Sequence, residues 1–146
     1  AKSPSGALGL MQLMPATARV TAQFAGLNYK SSKELTNPAL NINLGSQYLG
    51  QMLRRYDNNR ILASAAYNAG PGRVDRWRND QLAFDVWIET IPFTETRNYV
   101  QNVLMFAAIY GKHLNLAQPL IYPHEYAEFA ATPLTQQPSN LTHSGS

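Results

Sequence analysis

Apolar residues along this chain recur three and four positions apart, and no stretch sustains the alternation of a β-strand. "LMQLMPATARVTAQFAG" places Pro15 where the first turn of a helix accepts it and Gly26 where a helix stops. After the loop "LNYKSSKELTNP" comes "ALNINLGSQYLGQMLRRYD", which carries Ile42, Gly45, Tyr48, Leu49, Met52, Leu53 and Tyr56 on one stripe and predicts a core-facing helix. Gly45 lowers helix propensity, so close packing is expected there. "NNRILASAAYNAG" predicts a short helix with Asn58 or Asn59 as its cap and Gly70 in the left-handed position after its end. Ala63, Ala65, Ala66 and Ala69 would let that helix lie deep between others. The chain restarts in "PGRVDRWRND", and "QLAFDVWIETI" predicts a helix ending before Pro92. Thr94 is expected to cap "ETRNYVQNVLMFAAIYG", with Tyr99, Val103, Phe106 and Tyr110 as its apolar face and Gly111 as its stop.

Beyond Lys112 the pattern changes. Pro119, Pro123, Pro133 and Pro138 interrupt it, and "TQQPSNLTHSGS" reads as a mobile tail. The fold class that follows is all-α. The helical domain is expected over 1–112, with a partly disordered C-terminal extension over 113–146.

Composition narrows the chemistry. At 146 residues and 45% hydrophobic content the chain suits one domain with a real core. Charged residues make up only 14%, and amides fill part of the gap, beside Tyr and Trp, as suits ligands rich in hydroxyls and amides. The net charge of +3 admits an anionic partner, but no Lys/Arg run exceeds Arg54–Arg55, so a nucleic-acid arm is not expected. The absence of cysteine excludes disulfides and thiolate chemistry. His113, His124 and His143 have no second ligand at metal spacing, so no metal site is expected. No apolar run is long enough to span a bilayer, and no signal peptide is visible.

The remaining candidates are carboxylates, amides and tyrosines. Asp57, Asp75 and Asp80 read as surface or capping groups, and Glu34, Glu125 and Glu128 lie in loop or extension context. Glu89 and Glu95 flank "TIPFTETRNYV"; Glu95 is also what a helix first turn favours, and Glu89 a helix-end acid near Arg97. "YNAGPGRV" serves equally as a helix terminator or as a cleft where Tyr67 and Asn68 meet a ligand, with Gly70 and Gly72 admitting it. "KSPSGALGLMQLMP" offers Ser3 and Gln12 in a Gly-rich loop, with Met11 and Met14 simplest as core.

Four pieces stand in one order: "SPSGALGLMQLMPATA", "NPALNINLGSQYL", "SAAYNAGPGRV" and "IPFTETRNYVQNVL". This series resembles the catalytic domain of the soluble lytic murein transglycosylases, from Ala1 to about Tyr110. The resemblance implies a lysozyme-like helical domain with a groove for peptidoglycan glycan strands. It implies non-hydrolytic cleavage of the MurNAc–GlcNAc β-1,4 bond to a 1,6-anhydro-MurNAc product, by a single glutamic acid held protonated in an apolar setting. It implies no cofactor, and a periplasmic or envelope location. By the same resemblance Tyr67 supports catalysis beside the scissile bond, and Ser3, Met11, Gln12, Met14, Asn68, Glu95 and Tyr99 contact the glycan or line its groove. Glu89 and Arg97 are structural.

The family's catalytic Glu stands in a Glu-Ser pair shortly before the "SPxGAxGLMQ" segment. Only Ala1 and Lys2 precede Ser3, so that acid is expected upstream of Ala1, in a parent enzyme of which this chain is an inactive fragment. The alternative is a non-catalytic module that binds peptidoglycan without cutting it. A basic helical domain for nucleic acid leaves the four motifs unexplained.

Overall fold

The computed structural model describes residues 2–116 and 118–130. The tail sequence "TQQPSNLTHSGS", with His143, lies outside them. Among the described residues there are seven α-helices, one 3-10 turn and no strand beyond two isolated bridges, Lys2 with Leu8 and Leu8 with Leu13.

Helix α1 runs Pro15–Ala25 with Pro15 at its first position and Gly26 in the left-handed conformation after its end, as the sequence predicts. The 3-10 turn Ser32–Thr36 leads to α2, Pro38–Arg55. Asn37 caps α2, its side chain accepting from the Leu40 N–H at 3.1 Å. The buried face of α2 is Asn41, Leu44, Gly45 and Met52. Ile42, predicted on the stripe, is 46% exposed. The helix is rotated so that a polar residue, Asn41, enters the interior instead. Gly45 packs closely: a Cβ there would stand 2.5 Å from the Met11 Cβ.

Helix α3, Arg60–Ala69, is the centre of the molecule. Asn59 caps it through the Leu62 N–H, and seven of its ten residues are buried. Its small side chains let α2, α4 (Pro71–Trp77) and α6 (Thr94–His113) pack around it. Gly70 has positive φ, but its ψ of 142° is extended. It therefore turns the chain directly into α4 instead of closing α3 in the left-handed form that the sequence suggests.

Helix α5 spans Phe84–Thr90, ending before Pro92. At α6 the cap position is Phe93, and Thr94 is already helical. The inner face of α6 is Thr96, Val100 and Leu104, whereas Phe106 and Tyr110, predicted inward, are 50% and 64% exposed. Gly111 does not stop this helix. It is buried, and the following segment folds back over it, bringing Gln118 Oε1 within 3.4 Å of where its Cβ would be.

The segment after α6 closes onto the core. Ile121 and Phe129 are buried, and the short α7, Pro123–Tyr126, carries Glu125 fully inside. Its carboxylate accepts from Arg60 Nε and Nη2, each at 2.8 Å, and from the backbone N–H groups of Arg60 and Tyr122. Burial opposes the charge of Glu125, yet Arg60 and the two N–H groups outweigh it and hold the carboxyl below its usual range. The loop-like sequence around Glu125 gives no sign of this.

Two apolar clusters result. The larger surrounds α3 and includes Trp87, Val100, Ile121 and Phe129. The smaller joins Leu13, Ala18, Ala22, Leu35 and Leu44. Tyr48 and Tyr67 pack against both, so they stand at the seam.

Candidate functional site

The seam opens to the surface as a groove of about 490 Å³. Three pieces of chain form most of its wall, and Tyr48 of α2 adds to it. The first is the loop before α1. Paired backbone hydrogen bonds between Leu8 and Leu13, at 2.9 and 3.0 Å, close this loop, and Gly9 and Gln12 turn it with positive φ. The second is the end of α3, and the third is the outward face of the first turns of α6.

Of the residues that the sequence singles out, Met11, Gln12, Met14, Tyr67, Asn68, Glu95 and Tyr99 all line this groove. Ser3 does not. Its hydroxyl bonds Ser5 Oγ and accepts from the Ala7 N–H at 3.0 Å, so it ties the turn that leads into the loop, and Ser5 faces the groove in its place. Glu89 stands apart from the groove, bonded to Gln101, while Arg97 donates to the Ile91 carbonyl.

Tyr67 is the most constrained member. Its hydroxyl donates to the Met11 carbonyl at 2.7 Å, its ring stacks near-parallel on Tyr99 at 6.2 Å, and Tyr48 tilts against it at 5.3 Å. Burial, then the neighbouring Tyr99 and Tyr48, push the Tyr67 hydroxyl well above the ordinary tyrosine range. Burial raises Tyr48 and Tyr99 as well. All three therefore stay neutral at physiological pH. Because the Tyr67 proton is committed to Met11, its oxygen presents lone pairs only: it accepts and does not act as a base or acid.

The neighbouring groups are also committed in part. Asn68 Oδ1 accepts from Thr96 Oγ1 at 2.6 Å, which leaves the amide N–H pair of Asn68 to donate. Gln12 Nε2 donates to the Gly9 carbonyl at 2.6 Å, leaving Oε1 to accept. Glu95 is exposed on the rim in the first turn of α6 and makes no ion pair among the described residues. No group of three or more His, Asp or Glu side chains converges as metal ligands would among the described residues.

Sequence reasoning passed over Tyr48, Asn98 and Asn102, which also line the groove. Asn98 and Asn102 had a usable signal: with Glu95 and Tyr99 they fall at i, i+3, i+4 and i+7, one face of α6. Tyr48 lies on a stripe that reads as core, and only the seam between the clusters reveals its other edge.

Known proteins place this arrangement. The family model described as "Transglycosylase SLT domain" matches residues 1–89, and "Soluble lytic transglycosylase helical domain" matches 90–119. The soluble lytic murein transglycosylase of Salmonella typhimurium is 46% identical over 132 residues, covering 86% of this chain and 20% of that protein. An inactive glutamate-to-glutamine mutant of the lytic transglycosylase Slt from Pseudomonas aeruginosa superposes with a TM-score of 0.77 at 57% identity, covering 86% of this chain and 21% of that one. The 70 kDa soluble lytic transglycosylase of Escherichia coli superposes with a TM-score of 0.79 at 43% identity, with the same coverage. The chain thus spans about a fifth of the length of these relatives, and its all-α fold matches their lysozyme-like helical domain. With the family model covering most of the chain and the groove lined by residues from all four motifs, the chain belongs to the transglycosylase SLT domain family.

Proposed function

We propose that this chain forms the glycan-binding body of a peptidoglycan lytic transglycosylase, and that the acid/base glutamate is supplied from upstream of Ala1. The observation that carries the reading is the convergence of Met11, Gln12, Met14, Tyr67, Asn68, Glu95 and Tyr99 on one groove. These residues come from separate stretches of sequence. They offer what a strand of acetylated amino sugars asks for: aromatic faces, an amide donor at Asn68, and acceptors at Gln12 and Glu95.

The reaction needs one carboxyl in two roles. As an acid it protonates the glycosidic oxygen while the C1–O4 bond breaks. As a carboxylate it takes the proton of the C6 hydroxyl while O6 bonds C1, so the acid is regenerated and no water is consumed. The intramolecular hydroxyl gains from proximity what a bound water would need separate positioning for. Tyr67 supports the transition state through its oxygen: that lone-pair face lies favourably beside the positive charge that develops at C1, while the acid keeps its one proton for the glycosidic oxygen. Glu95 does not fill the acid's role: it is exposed on the rim, whereas such an acid must be dry enough to start protonated. The same exposure favours a second reading for the chain by itself, a module that holds the glycan without cutting it.

A murein substrate puts the protein in the periplasm or cell envelope. No helix of the described residues is long and apolar enough to cross a membrane. The test is digestion of purified peptidoglycan by this chain and by a form extended upstream through the expected Glu, with mass spectrometry for 1,6-anhydro muropeptides. Product from the extended form alone is the expected result. Product from this chain alone would return Glu89 or Glu95 to contention, and product from neither folded form would favour the binding module.

A further inference from the structure

The loop that carries Met11 into the groove contributes few buried side chains; Ala7 and Leu13 are the buried apolar ones, and Leu10 at its tip is 72% exposed. Beside the bonds that close the loop on itself, one buried polar side chain beneath it ties it to the body of the domain. Asn41, wholly buried on α2, accepts from the Met11 N–H at 2.7 Å and donates to the Leu8 carbonyl at 2.9 Å and the Leu35 carbonyl at 3.1 Å. The orientation of this amide is not ambiguous, because one neighbour is an N–H and the other two are carbonyls. Space around it is exhausted: a Cβ on Gly9 would fall 2.2 Å from Asn41 Nδ2 and 2.7 Å from the Leu35 carbonyl oxygen.

The same peptide segment faces the groove with its other end. Met11 is held by Asn41 through its N–H and holds Tyr67 through its carbonyl. We infer that Asn41 is a positioning residue for the groove, acting through the Met11 backbone to set where the Tyr67 hydroxyl stands. It touches no ligand itself. Only its effect on glycan binding rests on the reading given under Proposed function; its effect on Tyr67 does not.

The chemistry explains why an amide is required. The site asks for one acceptor and two donors with no charge, and a carboxamide alone among the common side chains of this size supplies them. An aliphatic residue would leave the Met11 N–H and the Leu35 carbonyl buried without partners, and the loop would shift to find water. Tyr67 would then lose its acceptor or follow it.

The test uses the chain with 13C-labelled tyrosine, the Tyr67 signal being assigned by its disappearance in Tyr67→Phe. Asn41→Ala is expected to shift the Tyr67 ring Cζ resonance and leave that of Tyr56, which caps the opposite end of α2 and is bonded to Asp75. An unmoved Tyr67 in the folded variant overturns the inference. Should Asn41→Ala fail to fold, Asn41→Asp decides. Its carboxyl, kept protonated by burial at acid pH, has one donor and one acceptor; once ionised it has no donor for Leu8 or Leu35. Tyr67 should be near its native position at acid pH and displaced, with Tyr56 unmoved, as the pH rises through that titration. A pH-independent Tyr67, or Tyr56 and Tyr67 lost together, assigns Asn41 to overall stability and overturns the inference.

Binding of tetra-N-acetylchitotetraose supplies the second readout. Asn41→Ala and Tyr67→Phe should each weaken it about tenfold, and the double variant no further than the weaker single, since both remove one linked arrangement. Additive losses count against the coupling. No binding by the unaltered chain sinks the glycan reading, while the Tyr67 resonance still decides the role of Asn41.

Discussion

The two sides of the groove are held by opposite means. Helix α3 carries Tyr67 and Asn68 in its last turn after a run in which Ile61, Leu62, Ala63, Ser64, Ala65 and Ala66 are all buried, so many apolar contacts fix it. The loop Leu8–Leu13 faces it with little such packing and depends on backbone hydrogen bonds and one buried amide. Apolar packing is non-directional, and losing one methyl group degrades it by degrees. A buried amide is directional, and its loss leaves orphaned polar groups. The two sides should therefore fail differently: one through stability, the other through the shape of the groove.

The largest expected effect is on the α3 side. Glu125→Ala leaves Arg60 without its buried partner and unties α7 from the start of α3, at a cost of about 3–5 kcal/mol in urea unfolding. Glycan affinity of the folded fraction should stay within about twofold, because the α3 end in the groove is held by packing. A large loss of affinity would break the comparison. Gly9→Ala is the matching experiment on the loop side. Positive φ and the overlap with Asn41 should cost about 2–3 kcal/mol, but here affinity should fall with stability, by about tenfold.

Smaller changes sharpen the contrast. Asn59→Ala removes both the α3 cap and a donor to the Glu125 carbonyl at 2.9 Å, for about 1–2 kcal/mol of stability. Acid acts on the same corner. The carboxyl of Glu125 is depressed in the folded chain, so its contribution is complete above the ordinary carboxylate range and is lost as pH falls through that range to the lower folded value. Unfolding melts from neutral to acid pH should show that loss, and Glu125→Gln should flatten it. Smallest of all, Arg78→Ala breaks an ion pair to Glu128 between two well-exposed side chains and should change stability by no more than about 0.5 kcal/mol.

The legible part of the site follows from what each signal depends on. Tyr67 and Asn68 were candidates from a local pattern, a small-residue helix ending in Asn-Ala-Gly-Pro, but that pattern fits a plain helix terminator equally, and the resemblance to the family is what pointed to a groove. Asn98 and Asn102 were readable in principle from helical spacing, once Glu95 is taken as a reference. Asn41 was not readable: in the first turn of α2, beside Ile42, it looks like a solvent-facing residue, and its partners Met11 and Leu8 lie 30 and 33 positions away. Ser3 illustrates the converse. A hydroxyl in a Gly-rich loop invites a ligand role, but the turn consumes it two and four residues along.

By itself the sequence determined where most helices begin and end, since Pro15, Asn37, Asn59, Gly26 and Pro92 act on their own few residues of backbone. It also determined that the Ala-rich helix lies deepest, because small side chains permit close neighbours wherever those neighbours are. Only the tertiary structure decided how α2 and α6 rotate, burying Asn41 and Val100 and exposing Ile42 and Phe106. A helix stripe has an inside only with respect to the elements that remove it from water. The burial of Glu125 and the bond from Tyr67 to Met11 were decided in the same way, by partners 65 and 56 residues away that no local pattern encodes.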